Sequence, residues 1–176
     1  NYINNIQGSE ALHRTCNFED NADQIRTIKL LLEKGADANI VDESQHTAVF
    51  YASKNQDGLT AILKHATDKL SQKAATELIG CEQYDYSKLD KSILVKLALK
   101  FQEFNITPPV NFKNSLKQYR DGDSRTLLYQ CCKDQQWSQA LAILHCLNTQ
   151  DEGDKNYINN IQGSEALHRT CNFEDN

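Results

Sequence analysis

Apolar residues recur at helical spacing along most of this chain, and short polar stretches rich in Asn, Asp, Gly and Ser separate the apolar runs. Ile25, Ile28, Leu31 and Leu32 share one face of a helix predicted over residues 22–34. Asp23 near its start and Lys34 near its end suit the helix dipole. Gly35 predicts the stop, because glycine enters the left-handed region without a Cβ penalty. Leu59, Ile62 and Leu63 line another predicted helix, with Gly58 either ending the short helix before it or sitting in the tight turn between the two. Residues 67–79 and 89–104 also carry helical patterns, the second through Ile93, Leu94, Leu97 and Phe101. Pro108-Pro109 forbids further helix there, since proline lacks a donor and clashes with the preceding turn. A short helix around Leu116 and Tyr119 follows, then one over 137–147 through Ala140, Leu141, Ile143 and Leu144. The predicted class is all-α.

Residues 1–21 and 156–176 are the same string, NYINNIQGSEALHRTCNFEDN. Twenty-one identities do not survive long divergence. They imply a duplicated unit of 155 residues, as natural tandem copies in a larger protein or as a copy added at the end; natural copies are the favoured expectation. Starting at Asn1 and lacking methionine, the chain reads as a fragment or a processed piece.

Several stretches resemble ankyrin repeats. Gly35-Ala36-Asp37-Ala38-Asn39 is similar to the family's helix end and loop. Thr47-Ala48-Val49-Phe50 and Thr126-Leu127-Leu128-Tyr129 resemble the tetrapeptide that opens its first helix, while Leu12-His13 matches only the second half of that motif. Leu30 and Leu63 are 33 residues apart, one ankyrin period. The resemblance is good over residues 8–66 and 124–168 and poor over 67–123. It implies a single solenoid over residues 1–176, built from about four stacked antiparallel helix pairs and a truncated fifth. The degenerate, Asn- and Gln-rich units also resemble those of host-directed bacterial effectors, which implies a host cell reached by secretion as an alternative to the cytoplasm or another reducing compartment.

The same resemblance implies a protein-binding module that uses loop tips and a concave helix face, with no enzymatic activity. Carried onto this chain, the tips are Asp37, Asn39, Asp42, Glu43 and Gln45, then Asp121, Asp123 and Arg125, then Asp151, Asp154 and Asn156. The first-helix positions are Arg14, Asn17, Tyr51, Lys54, Asn55, Gln130, Lys133 and Asp134. The acidic tips suit a partner with a basic patch. An alternative expectation is a structural array whose 155-residue copies pack end to end. Trp137 is expected to pack, and Tyr84 and Tyr86, in an irregular break, to be exposed.

Composition narrows the chemistry. The formal charge of −5, with both signs mixed, argues against a nucleic-acid backbone as partner. No apolar run reaches the 18 residues a membrane span needs. The six cysteines lie mostly in apolar, helix-like contexts, which predicts buried thiols in a reducing compartment. His13 and Cys16 share a helix face, but a structural zinc site needs four converging ligands, so no metal or cofactor is expected. Cys131-Cys132 has no histidine nearby in sequence to act as base, and no phosphate-binding glycine loop is present.

Overall fold

Short polar side chains set where the helices begin. In the computed structural model, which describes residues 6–18, 21–147 and 151–159, Asn21, Thr47, Asn55, Ser71, Asp90 and Thr126 each occupy an N-cap. Each accepts a hydrogen bond from a backbone N–H two or three residues on. Such a cap satisfies a donor that has no intrahelical partner and contributes about 1 kcal/mol. The described α-helices are α1 (Ile6–Cys16), α2 (Ala22–Glu33), α3 (Ala48–Ala52), α4 (Gln56–Ala66), α5 (Gln72–Glu77), α6 (Lys91–Glu103), α7 (Val110–Gln118), α8 (Leu127–Lys133), α9 (Trp137–Cys146) and α10 (Glu152–Asn159). The described residues contain no strand, so the all-α expectation holds for them.

The predicted stops hold as well. Gly35 has φ +91° and donates to the Leu32 carbonyl (3.0 Å), while Ala36 donates to that of Leu31 (2.9 Å). Those two bonds are the Schellman ending that a left-handed glycine permits. Helix α6 stops before Pro108-Pro109, and α7 starts immediately after. Residues 67–79 do not form one helix. A 3₁₀ turn over Thr67–Lys69 gives way at Ser71, whose hydroxyl caps α5 anew. Gly58 neither ends α3 nor lies in the turn; it sits in the first turn of α4, donating its N–H to Asn55 Oδ1.

Contacts divide the chain into two compact units. Unit 1 holds residues 1–85 and 106–111. There α1 packs on α2 and α3, α2 packs on α4, and α3 packs on α4 and α5. Ile28, Val49, Leu59, Ile62, Leu63 and Leu78 are fully buried and form its core. Unit 2 holds residues 86–105 and 112–176, with both α6 and α8 packed against α9. Phe101 and Tyr86 set their rings edge-on to Phe112 at 5.1 and 5.2 Å. Lys117 Nζ donates to the buried Asp154 Oδ1 at 2.8 Å and ties α10 to α7.

This packing corrects the expected solenoid. Helix α6 meets α9 with α7 and α8 between them in sequence, so the helices form non-sequential packings within compact units rather than a linear stack of consecutive pairs. The 33-residue spacing that suggested a period joins unlike positions: Leu63 is fully buried, whereas Leu30 is 52% exposed. Tyr84 and Tyr86 are buried, not exposed, because Tyr84 finds Thr60 Oγ1 for its hydroxyl (2.7 Å) and Tyr86 finds Phe112 for its ring. Trp137 is 41% exposed and forms a surface stripe with Leu141 and Leu144.

Candidate functional site

The amphipathic pattern of α1 builds one wall of a groove in unit 1. Leu12 and Cys16 point into the core. Residues 10, 13, 14 and 17, at helical spacing, therefore share another face. Glu10, Arg14 and Asn17 reach solvent from it, with Arg14 Nε 3.8 Å from Glu10 Oε2. His13 is buried and donates through Nε2 to the His46 carbonyl (3.1 Å), tying α1 to the segment before α3.

The facing wall is the loop around Asp42. Asp42 Oδ1 accepts from the backbone N–H groups of Ser44 (2.9 Å) and His46 (3.0 Å), and its Oδ2 accepts from the Tyr51 hydroxyl. Gln45 turns the loop with φ +63°. Thr47 then caps α3, donating its own hydroxyl to Glu77 Oε2, a side chain only 7% exposed. Tyr51 lies edge-on to His13 (5.8 Å), His46 (6.2 Å) and Phe50 (5.4 Å), and His46 stacks flat on Phe50 at 3.6 Å. These rings hold the loop against α3.

Between the walls lies a groove of about 600 Å³, lined by Glu10, His13 and Arg14 on α1, by Asn17 just after it, by residues 40–44, and by Tyr51. Ile40 and Val41 supply an apolar stretch. Burial pushes the Asp42 carboxyl up, but the hydrogen bonds from Tyr51, His46 and Ser44 outweigh it and hold the group below the usual carboxylate range. The bond to Asp42 and partial burial raise the Tyr51 phenol. The groove therefore sets the acidic side chains of Glu10, Asp42 and Glu43 against Arg14.

Five of the sequence-predicted binding residues meet in this groove: Arg14, Asn17, Asp42, Glu43 and Tyr51. Asp37 and Asn39 line a separate hollow of about 490 Å³ near the end of α2. There Asn39 donates to the Lys69 carbonyl (2.8 Å) and accepts from Ser71 N–H (2.7 Å), a structural tie between loops. Gln45 and Lys54 are exposed outside both hollows. Asn55 is buried, because its side chain caps α4 and donates to Gln24 Oε1 (3.4 Å); it presents nothing to a partner. Asp121, Asp123, Arg125, Gln130, Lys133 and Asp134 belong to unit 2, where Asp123 pairs with Arg125 (2.6 Å) and Asp134 with Lys91 (4.0 Å). Asp154 is buried on Lys117, while Asp151 and Asn156 are exposed. Sequence reasoning missed Glu10, Ile40, Val41 and Ser44; Glu10 was within reach, one turn before Arg14 on the same face.

None of the described cysteines is poised for chemistry. Cys16, Cys81, Cys131, Cys132 and Cys146 are buried and unbridged; burial pushes Cys16, Cys81 and Cys146 up to about 12 and Cys131 to about 11. Such thiols stay protonated at neutral pH and are poor nucleophiles. Cys171 lies outside the described residues. Among the described residues no three or more His, Cys, Asp or Glu side chains gather as a metal site. None of the described helices is long and apolar enough to cross a membrane.

No family model, curated protein or solved structure matches the chain. The ankyrin resemblance, and with it the likeness to bacterial effectors, therefore finds no support at family level, in keeping with the non-sequential packing.

Proposed function

We propose that the chain is a protein-recognition module and that the unit 1 groove is its binding surface. One observation carries this reading: α1 and the Asp42 loop, held in place by bonds to Tyr51, Ser44 and His46, bring exposed charges and an apolar stretch together around one open groove. An extended segment with a basic side chain next to an apolar one fits these walls. The cation meets Glu43 and Asp42, and the apolar group covers Ile40 and Val41. The excess negative charge also steers a basic partner toward the groove. Arg14 favours an acidic or amide group further along the same segment.

Selection from a displayed peptide library on the folded chain tests the reading. Enriched peptides are expected to pair Lys or Arg with an apolar neighbour and to lose about tenfold or more in affinity on Glu43→Lys. Enrichment of sequences with no basic residue, or binding indifferent to Glu43→Lys, would contradict it.

A further inference from the structure

One position in unit 1 has two possible occupants. Helix α1 fills it from the first copy of the duplicated string, with Leu12 and Cys16 each 1% exposed against α2 and α3 and His13 bonded to the His46 carbonyl. The second copy carries the same side chains in the same order, with Leu167, His168 and Cys171 standing for Leu12, His13 and Cys16. A site made by α2 and α3 cannot tell the two strings apart, because every contact it offers to one it offers to the other. Only the tether differs.

We propose that, once the first copy is displaced, a second copy of this chain supplies residues 160–176, the part of the repeated string beyond α10, to the α1 position of unit 1, linking chains head to tail by exchange of a sequence-identical segment. The second copy begins inside α10, where Tyr157 is buried in unit 2 and Asp154 holds Lys117, so the donor segment leaves from an anchored point. The exchange also rebuilds the groove, since Glu165, His168, Arg169 and Asn172 repeat Glu10, His13, Arg14 and Asn17. The contact is heterologous, one chain's end on another's beginning, so it propagates into open chains rather than stopping at a symmetric pair. In the unaltered chain the tethered first copy has an effective concentration of order millimolar and holds its place at micromolar protein.

Light scattering on the full chain and three variants tests this. Leu12→Asp puts a charge on the buried face of the first copy only. Its weight-average mass is expected to rise about twofold or more with concentration in the micromolar range, while the unaltered chain and Leu167→Asp stay monomeric. Leu12→Asp/Leu167→Asp, with neither copy able to dock, is expected to return to the monomer mass. A labelled peptide with the sequence of residues 1–21 should bind the Leu12→Asp chain and reduce its mass toward the monomer. This readout holds even where Leu12→Asp loosens unit 1. A Leu12→Asp chain that stays monomeric overturns the exchange whether or not it takes up the peptide. Association undiminished in the double variant also overturns it, by showing non-specific aggregation.

Discussion

The loop at Asp42 and the loop at Asp121 are the same device set into different surroundings. In each, the aspartate Oδ1 accepts from the backbone N–H groups two and four residues on: Ser44 and His46 in unit 1, Asp123 and Arg125 in unit 2. Its own N–H donates to the carbonyl four residues on, at 2.9 and 3.1 Å. The residue three on takes a positive φ, +63° at Gln45 and +60° at Ser124. A threonine five on caps the next helix, and a side chain nine on, Tyr51 or Gln130, closes onto Oδ2. The two differ in what stands beside the loop. Ile40, Val41 and the exposed face of α1 flank Asp42 and leave a groove. At Asp121 the neighbours occupy one another: Arg120 donates to the Lys117 and Tyr119 carbonyls (2.6 Å each), and Arg125 pairs with Asp123 and lies over Tyr129 at 5.9 Å. The motif is scaffolding; what stands opposite it decides whether a groove is left beside it.

The threonine caps separate the two most sharply. Thr47→Val removes both the cap and the hydroxyl bond to the largely buried Glu77 carboxylate. It is expected to destabilise by about 2–3 kcal/mol in denaturant unfolding. Thr126→Val removes the cap and the hydroxyl's interaction with the neutral Tyr157 side chain, and is expected to lose about 1–2 kcal/mol. Equal losses would mean that Glu77 adds no more to the first loop than Tyr157 adds to the second. The next contrast lies between glycines. An alanine Cβ at Gly58 would stand 2.7 Å from Asn55 Oδ1, so Gly58→Ala must displace the cap and is expected to destabilise by about 1 kcal/mol despite alanine's better helix propensity. Gly122→Ala, in the second loop, meets nothing within 4 Å and is expected to stay within about 0.5 kcal/mol of the parent.

What the sequence made legible was local. Gly35 and Pro108-Pro109 mark helix ends by chemistry acting within a few residues, and each is where the pattern placed it; Thr47 and Thr126, noticed through the ankyrin-like tetrapeptide, cap helices by the same short-range chemistry. Burial decided by distant partners was not legible. Nothing near Tyr84 in sequence announces Thr60, and Leu30 looks like a core residue until the neighbours of α2 are known. The spacing of Leu30 and Leu63 misled for that reason: helical periodicity reports that a face is apolar, not which helix covers it. For the groove, Arg14, Asn17, Asp42, Glu43 and Tyr51 came from carrying ankyrin loop-tip and first-helix positions onto this chain, a resemblance the packing does not support. Asn55 came by the same route but serves as a buried cap, a choice made by the adjoining Gly58 and Gln24.

Smaller effects sharpen the comparison further. Helix α4 is capped by Asn55, whereas α9 starts at Gln136 with no side-chain cap bond. Gln136→Ser is therefore expected to stabilise by about 0.5–1 kcal/mol, read as a rise in the unfolding midpoint. Both loop aspartates titrate low, Asp121 through its bonds to the Arg125 and Asp123 backbone and Asp42 through hydrogen bonds that overcome its burial. A carboxyl depressed on folding contributes stability above its unfolded pKa of about 3.9 that is lost as pH falls through the folded value. Melting temperature is thus expected to fall on acidification below about pH 4, and less steeply in Asp42→Asn and in Asp121→Asn. An unchanged acid limb in both variants would remove the loops from the account.

The central claim is that the Asp42 loop and α1 form the recognition surface while the matching loop in unit 2 does not. Calorimetric titration of a groove-selected peptide into two double variants puts this most directly. Arg14→Glu/Glu43→Lys is expected to weaken binding about tenfold or more, and Asp123→Lys/Arg125→Glu to leave it within about twofold of the unaltered chain. Equal losses in the two, or a loss confined to the unit 2 variant, would contradict the claim.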